Sequence, residues 1–213
     1  MKVGDSVRLA IDDFERGETE SAMLHACNAV DGTSAKLYPK LGNGKRFTKL
    51  IRDNYSTLGL MAVRGLNVHE TRWPVPVRST LSTKTLIEWP DTADLIWVIH
   101  RCNHGHGDEV PTNFALIDDN IGIASELHVE QGVVRLPWNT VFGMLAVAIG
   151  EPVNRGQIAG DGQYLTWGSP EMRFYIADWW GYKAELLAEL QSQHTALVKM
   201  DWADWTENPP ELV

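Results

Sequence analysis

The sequence predicts a mainly α-helical fold carrying a small antiparallel β insertion at about residues 112–136. Two observations predict it. Segment after segment places apolar residues at i, i+3, i+4, i+7, the repeat of one helix face. Short extended pieces separated by turn residues are concentrated between residues 112 and 136.

The first helix covers residues 4–16, with Val7, Ala10, Ile11 and Phe14 on one face and Gly17 as its stop. The second covers 18–38, closed by Pro39, with Gly32 weakening its middle. On it His25, Asn28 and Asp31 follow at i, i+3, i+6 and share a face, read as solvated. Gly42-Asn43-Gly44 is a tight turn. A third helix spans 45–61 with Phe47, Leu50, Ile51, Leu58 and Met61 inward. It carries the densest cationic cluster of the chain, Lys45, Arg46, Lys49 and Arg52. Lys45, Lys49 and Arg52 are the candidate phosphate contacts.

Residues 64–89 read as irregular, bracketed by Pro74, Pro76 and Pro90. The stretch PDTADLIWVIHRCNHGHGD, residues 90–108, follows. Asp91 is placed to cap a helix, and Asp94 stands three residues on, as in a weak capping box. Leu95, Ile96, Val98, Ile99 and Cys102 form its apolar face, and Gly105 and Gly107 end it. Short strands are expected at 114–117, 121–123, 126–129 and 133–136, with turns at Asp118-Asp119-Asn120 and Gln131-Gly132. A helix at 137–150 comes next, then a loop over 151–170 with a strand at 164–167. The chain ends with a long helix over 173–200 and an acidic, proline-containing tail.

At 213 residues and 23.9 kDa one domain is expected: a bundle core at about 18–150 holding the insertion, then a C-terminal helix and tail at 171–213. A hydrophobic content of 44% supports a packed core, and the nine tryptophans suit large buried anchors. A formal charge of −9 argues against non-specific coating of nucleic acid, while leaving room for a local basic site. Cys27 and Cys102 read as free thiols of a reducing compartment. The N-terminal stretch lacks the apolar core of a signal peptide, and no apolar run reaches the roughly eighteen residues of a membrane span. A cytoplasmic protein is expected.

Arg101-Cys102-Asn103-His104-Gly105-His106 places a histidine five positions after an arginine, at the end of an apolar helix. This resembles the Arg-x4–6-His signature of the HEPN family. The resemblance extends to the plan of an antiparallel helical bundle over about residues 18–150. It implies a homodimer in which two motifs form one composite site that cuts RNA with no metal or other cofactor. It also implies a toxin–antitoxin or phage-defence setting, with an antitoxin protein as partner. Arg101 and His106 carry over by position, and Asn103 and His104 are further catalytic candidates. Cys102 stands where many members have a polar residue.

The residue types suit that chemistry. Cleavage without metal needs a base for the 2′-OH proton and an acid for the leaving 5′-oxygen, and histidine can be either. An arginine fork suits the charge that builds on phosphate oxygens. In an α-helix, positions five apart stand about 140° apart, so Arg101 and His106 converge only where the helix unwinds. The plain alternative is a helix C-cap, with Arg101 and a histidine bonding the last carbonyls, and two functional alternatives remain beside it. One is a non-catalytic dimer of the same fold that binds nucleotide or a partner. The other is a zinc hydrolase using the HxHxD spacing of His104, His106 and Asp108, in which Glu109 stands where the metal motif has a further histidine.

Overall fold

The chain folds as a mainly helical bundle with small antiparallel strand pairs. The computed structural model describes residues 2–78, 86–102, 110, 112–117, 127–130, 132–167, 172–192, 196–200 and 202. The expected strand at 121–123, the C-terminal tail apart from Trp202, Asn103, His104, His106 and Asp108 lie outside the described residues.

The helices α1 (Val3–Glu15) and α2 (Thr19–Leu37) form an antiparallel pair joined at Gly17. α3 (Asn43–Arg52) and α4 (Tyr55–Ala62) follow, then the β1 (Val77–Arg78) and β2 (Leu86–Ile87) hairpin ends. The central helix opens as α5 (Thr92–Leu95). The insertion contributes β3 (His128–Glu130) and β4 (Val133–Arg135), antiparallel with Val129 opposite Val134. α6 (Thr140–Gly150) is buried along its whole length and packs against α1, α2 and α4. A helix apolar all round belongs at the middle of a bundle. β5 (Tyr164–Trp167) pairs antiparallel with β6 (Met172–Tyr175), and α7 (Ile176–Trp179) and α8 (Lys183–Ser192) complete the described elements.

The crossing of α4 and α6 depends on a missing side chain. A Cβ on Gly143 would stand 2.9 Å from the Ala62 Cβ and 3.1 Å from the Leu58 carbonyl oxygen, so glycine lets the two backbones meet. Buried polar groups are satisfied across elements, as burial demands. Asn154 donates to Thr33 Oγ1 at 2.7 Å and to the Ala148 carbonyl at 2.8 Å, and accepts from Lys36 Nζ at 2.8 Å.

Several sequence expectations are corrected. The helix expected over 45–61 is two helices. The Asn54 amide donates to the Leu50 carbonyl at 2.9 Å and to Glu151 Oε1 at 2.8 Å, a competing use of the side chain that marks the break. The long helix expected over 173–200 is also absent. Residues 172–175 are drawn into β6 by pairing with β5. Gly181, at φ +79°, then turns the chain and donates its N–H to the Ile149 carbonyl at 2.8 Å. The first expected strand of the insertion is instead a 3-10 turn at Thr112–Phe114, followed by a single bridge from Ile117 to Pro137. The irregular stretch at 64–89 contains the β1–β2 pair.

Candidate functional site

The central helix starts as its sequence predicts. The Asp91 side chain accepts from the Asp94 N–H at 2.9 Å, a helix cap. Three upstream side chains then fix this start. Arg52 reaches Asp91 through Nε (2.7 Å) and Nη2 (3.1 Å), and its Nη2 also meets Asp94 at 2.7 Å. The Ala93 N–H donates to the Tyr55 hydroxyl at 3.0 Å, and the Trp73 indole donates to Thr92 Oγ1 at 3.1 Å. Burial works against charge on both Arg52 and Asp91, yet their mutual hydrogen bonds raise the arginine pKa and lower the aspartate pKa. Asp94 shifts the other way, raised by burial and by the neighbouring charge of Asp91.

After Leu95 the helix changes type. Ile96–Cys102 is a π-helix, a wide turn that is rare and frequent at functional sites. Its i→i+5 ladder brings positions five apart nearer one face than an α-helix does. Ile96, Ile99 and His100 are its buried side.

Arg101, at the end of this turn, faces α2. Its Nη2 stands 3.1 Å from Asp31 Oδ2. Arg46, on α3, approaches the same carboxylate from its other oxygen, Nη2 to Oδ1 at 3.1 Å. The side chains are 16% (Asp31), 19% (Arg46) and 23% (Arg101) exposed, so the cluster is half-buried at the junction of three helices. The Nε atoms of Arg46 and Arg101 are both buried with no hydrogen-bond partner among the described residues. An unpaired buried donor is costly, which makes the two Nε–H groups notable.

Cys27, one turn before Asp31 on α2, is fully buried. Burial pushes its thiol up to about 12, against the pull of the Arg101 charge. The face of α2 read as solvated is therefore half-buried. His25 meets Asp13 at 3.5 Å, and Asp31 holds the two arginines.

The candidate phosphate contacts separate. Arg52 uses its fork on Asp91 and Asp94. Lys49 is exposed and pairs with Asp53 at 2.8 Å, above the Tyr38 ring. Lys45 is exposed. None of these three is paired with the Asp31 cluster, whereas Arg46 is. Sequence reasoning passed over Arg46 and Asp31 as site residues. The signals were present, Arg46 in the cationic run and Asp31 on the polar face of α2, but their pairing spans distant segments.

A second polar cleft of about 360 Å³ lies between α4 and residues 66–69, with Ser56 Oγ 3.5 Å from His69 Nε2. No motif or spacing announced it. Among the described residues no group of three His, Cys, Asp or Glu side chains gathers at metal-binding spacing.

Comparison with known proteins places the chain. The family model described as Rv1289 matches residues 2–206. The chain belongs to the Rv1289 family. It is 36% identical over 211 residues to the uncharacterised protein Rv1289 of Mycobacterium tuberculosis (strain H37Rv), covering 97% of this chain and 98% of that one. The uncharacterised protein Mb1320 of Mycobacterium bovis matches at the same identity and coverage. No solved structure matches. The likeness to Rv1289 runs nearly end to end, so it takes in the π-helix, α2 and α3 together.

Proposed function

We propose that the chain is a metal-independent endoribonuclease of the HEPN type, working as a homodimer with a composite site at its interface. The observation that carries this reading is the position of Arg101. It stands near the end of the π-helix with its side chain 23% exposed and with a buried Nε–H unpartnered among the described residues. Such a group suits an oxygen of a phosphate.

In this account Arg101 steadies the phosphate through the transition state, and His106 exchanges the protons. A base takes the 2′-OH proton, and O2′ attacks phosphorus. An acid then protonates the departing 5′-oxygen, leaving a 2′,3′-cyclic phosphate. Asn103 and His104 assist. The acidic chain repels RNA at long range, so binding is salt-sensitive and rests on the local arginines. The setting is a cytoplasmic toxin or phage-defence component restrained by an antitoxin protein.

The second reading, a non-catalytic dimer that binds nucleotide or a partner, draws on the same geometry. Asp31 already engages Arg101, as suits an arginine that anchors an anion without reacting.

The test is cleavage of single-stranded RNA by the purified protein in excess EDTA. Activity that disappears in His106→Ala supports the nuclease. Absent cleavage, or cleavage that persists in that variant, defeats it.

A further inference from the structure

We propose that Arg46 and Arg101, bridged by Asp31, form an anion cradle of net charge +1 that selects phosphate groups carrying one negative charge over those carrying two. The inference rests on the reading of Arg101 as a phosphate ligand. It adds a second arginine from another helix and assigns the carboxylate between them a role in specificity.

The geometry supplies three parts. First, two guanidinium groups converge on one carboxylate from opposite oxygens, each at 3.1 Å, so they are held near each other and oriented. Secondly, two positive charges against one negative leave +1, within a chain of net charge −9. Thirdly, each arginine keeps a buried Nε–H donor with no partner among the described residues. A guanidinium has five donors in a fixed fork, and a phosphate supplies the acceptors that such a fork lacks. Each side chain is about a fifth exposed while both Nε atoms are covered, so an anion reaches those donors only as the side chains shift.

Asp31 decides which phosphate. Its carboxylate lies within hydrogen-bond distance of both forks, so any anion bound by them sits close to a fixed negative charge. A phosphodiester brings one charge and is balanced by the cradle. A terminal phosphate above its second pKa, near 6, brings almost two: its attraction to a net +1 about doubles, while its cost of leaving water, which grows with the square of the charge, rises about fourfold. The cradle therefore favours an internal linkage of a nucleic acid over a free nucleotide or a chain end. Asp31 also holds the arginines ready while no anion is bound, because two like charges at this burial would otherwise push each other apart.

The experiment measures binding without cleavage. A fluorescent, fully 2′-O-methylated oligoribonucleotide has no 2′-OH to attack, and it is titrated at low salt and pH 8 with wild type, Arg46→Ala, Arg46→Lys and Asp31→Asn. Dimethyl phosphate and inorganic phosphate then compete, and circular dichroism checks each variant's fold. Arg46→Ala is expected to weaken oligonucleotide binding about tenfold. Arg46→Lys, which keeps the charge without the fork, should recover only part of it. In wild type dimethyl phosphate should compete at lower concentration than inorganic phosphate, and Asp31→Asn should reverse that order. The proposal is overturned if wild type does not bind, if folded Arg46 variants bind like wild type, or if the order of competitors is the same in Asp31→Asn. Arginine-dependent binding without RNA cleavage would remove the nuclease and leave the cradle. Cleavage with binding indifferent to Arg46 would do the reverse.

Discussion

Arg101 Nη2 lies 3.1 Å from Asp31 Oδ2, across a sequence separation of 70 residues. This contact ties the end of the central helix to the second helix, and Arg46 completes it from the third. Removing the carboxylate leaves two half-buried cations without a counter-ion. Asp31→Ala should therefore cost about 2 kcal/mol in urea unfolding, below the figure for a fully buried pair. In an Arg46→Ala background the same change should cost less, because one of the two cations is gone. Equal costs in both backgrounds would mean that Asp31 does not act through Arg46.

The cap of the central helix should matter to function as well as stability. Asp91→Ala removes the bond to the Asp94 N–H and the main partner of Arg52. A loss of about 1–2 kcal/mol is expected on capping grounds. Because this start aims the π-helix that carries Arg101, the variant should also bind the 2′-O-methyl oligonucleotide more weakly, although Asp91 does not belong to the cradle. Unchanged binding would separate the cap from the site.

How far the site was legible in the sequence follows from the range of its contacts. The Asp91 cap, the apolar face after it and the stop at Gly17 are local, and apolar spacing or turn chemistry announces them. α2, α6 and the pairing of β3 with β4 were readable for the same reason. The break at Asn54 was hidden because the Asn54 amide answers to Glu151, 97 residues away. The turn at Gly181 was hidden because its N–H answers to Ile149. The π-helix has no compositional mark in LIWVIHRC. Asp31 looked like a solvated residue because a polar face on one helix does not reveal that two arginines from other helices will close over it.

Cys27 offers a pH prediction. Its thiol is fully buried and pushed up to about 12, chiefly by burial, from an ordinary value near 8.5. A group whose pKa is raised in the folded state contributes stability that is complete below its unfolded value. That contribution is lost as pH rises towards the folded value. Stability should thus decline between roughly pH 9 and 12, and Cys27→Ala should lessen the decline. Iodoacetamide at pH 8 should modify Cys27 only after denaturation, as peptide mass spectrometry would report. Prompt labelling of Cys27 in the folded protein would contradict its burial.

Gly143 lets α4 and α6 pack closely. Gly143→Ala places a methyl group 2.9 Å from the Ala62 Cβ and 3.1 Å from the Leu58 carbonyl oxygen. Neither is a flexible chain end, so α4 and α6 must separate. A loss of about 1–3 kcal/mol is expected from thermal or urea unfolding, outweighing the intrinsic helix preference of alanine. A gain in stability would show that the two helices are free to shift.

The proposed cleavage of RNA is tested most directly by the ends of any fragments it leaves. Attack by the neighbouring 2′-OH leaves a 2′,3′-cyclic phosphate on one fragment and a 5′-hydroxyl on the other. Mass spectrometry of fragments made in excess EDTA should show those ends for wild type, and no fragments for Arg101→Ala. Fragments bearing a 5′-phosphate and a 3′-hydroxyl would instead mean that water is the nucleophile, and that result would contradict the account.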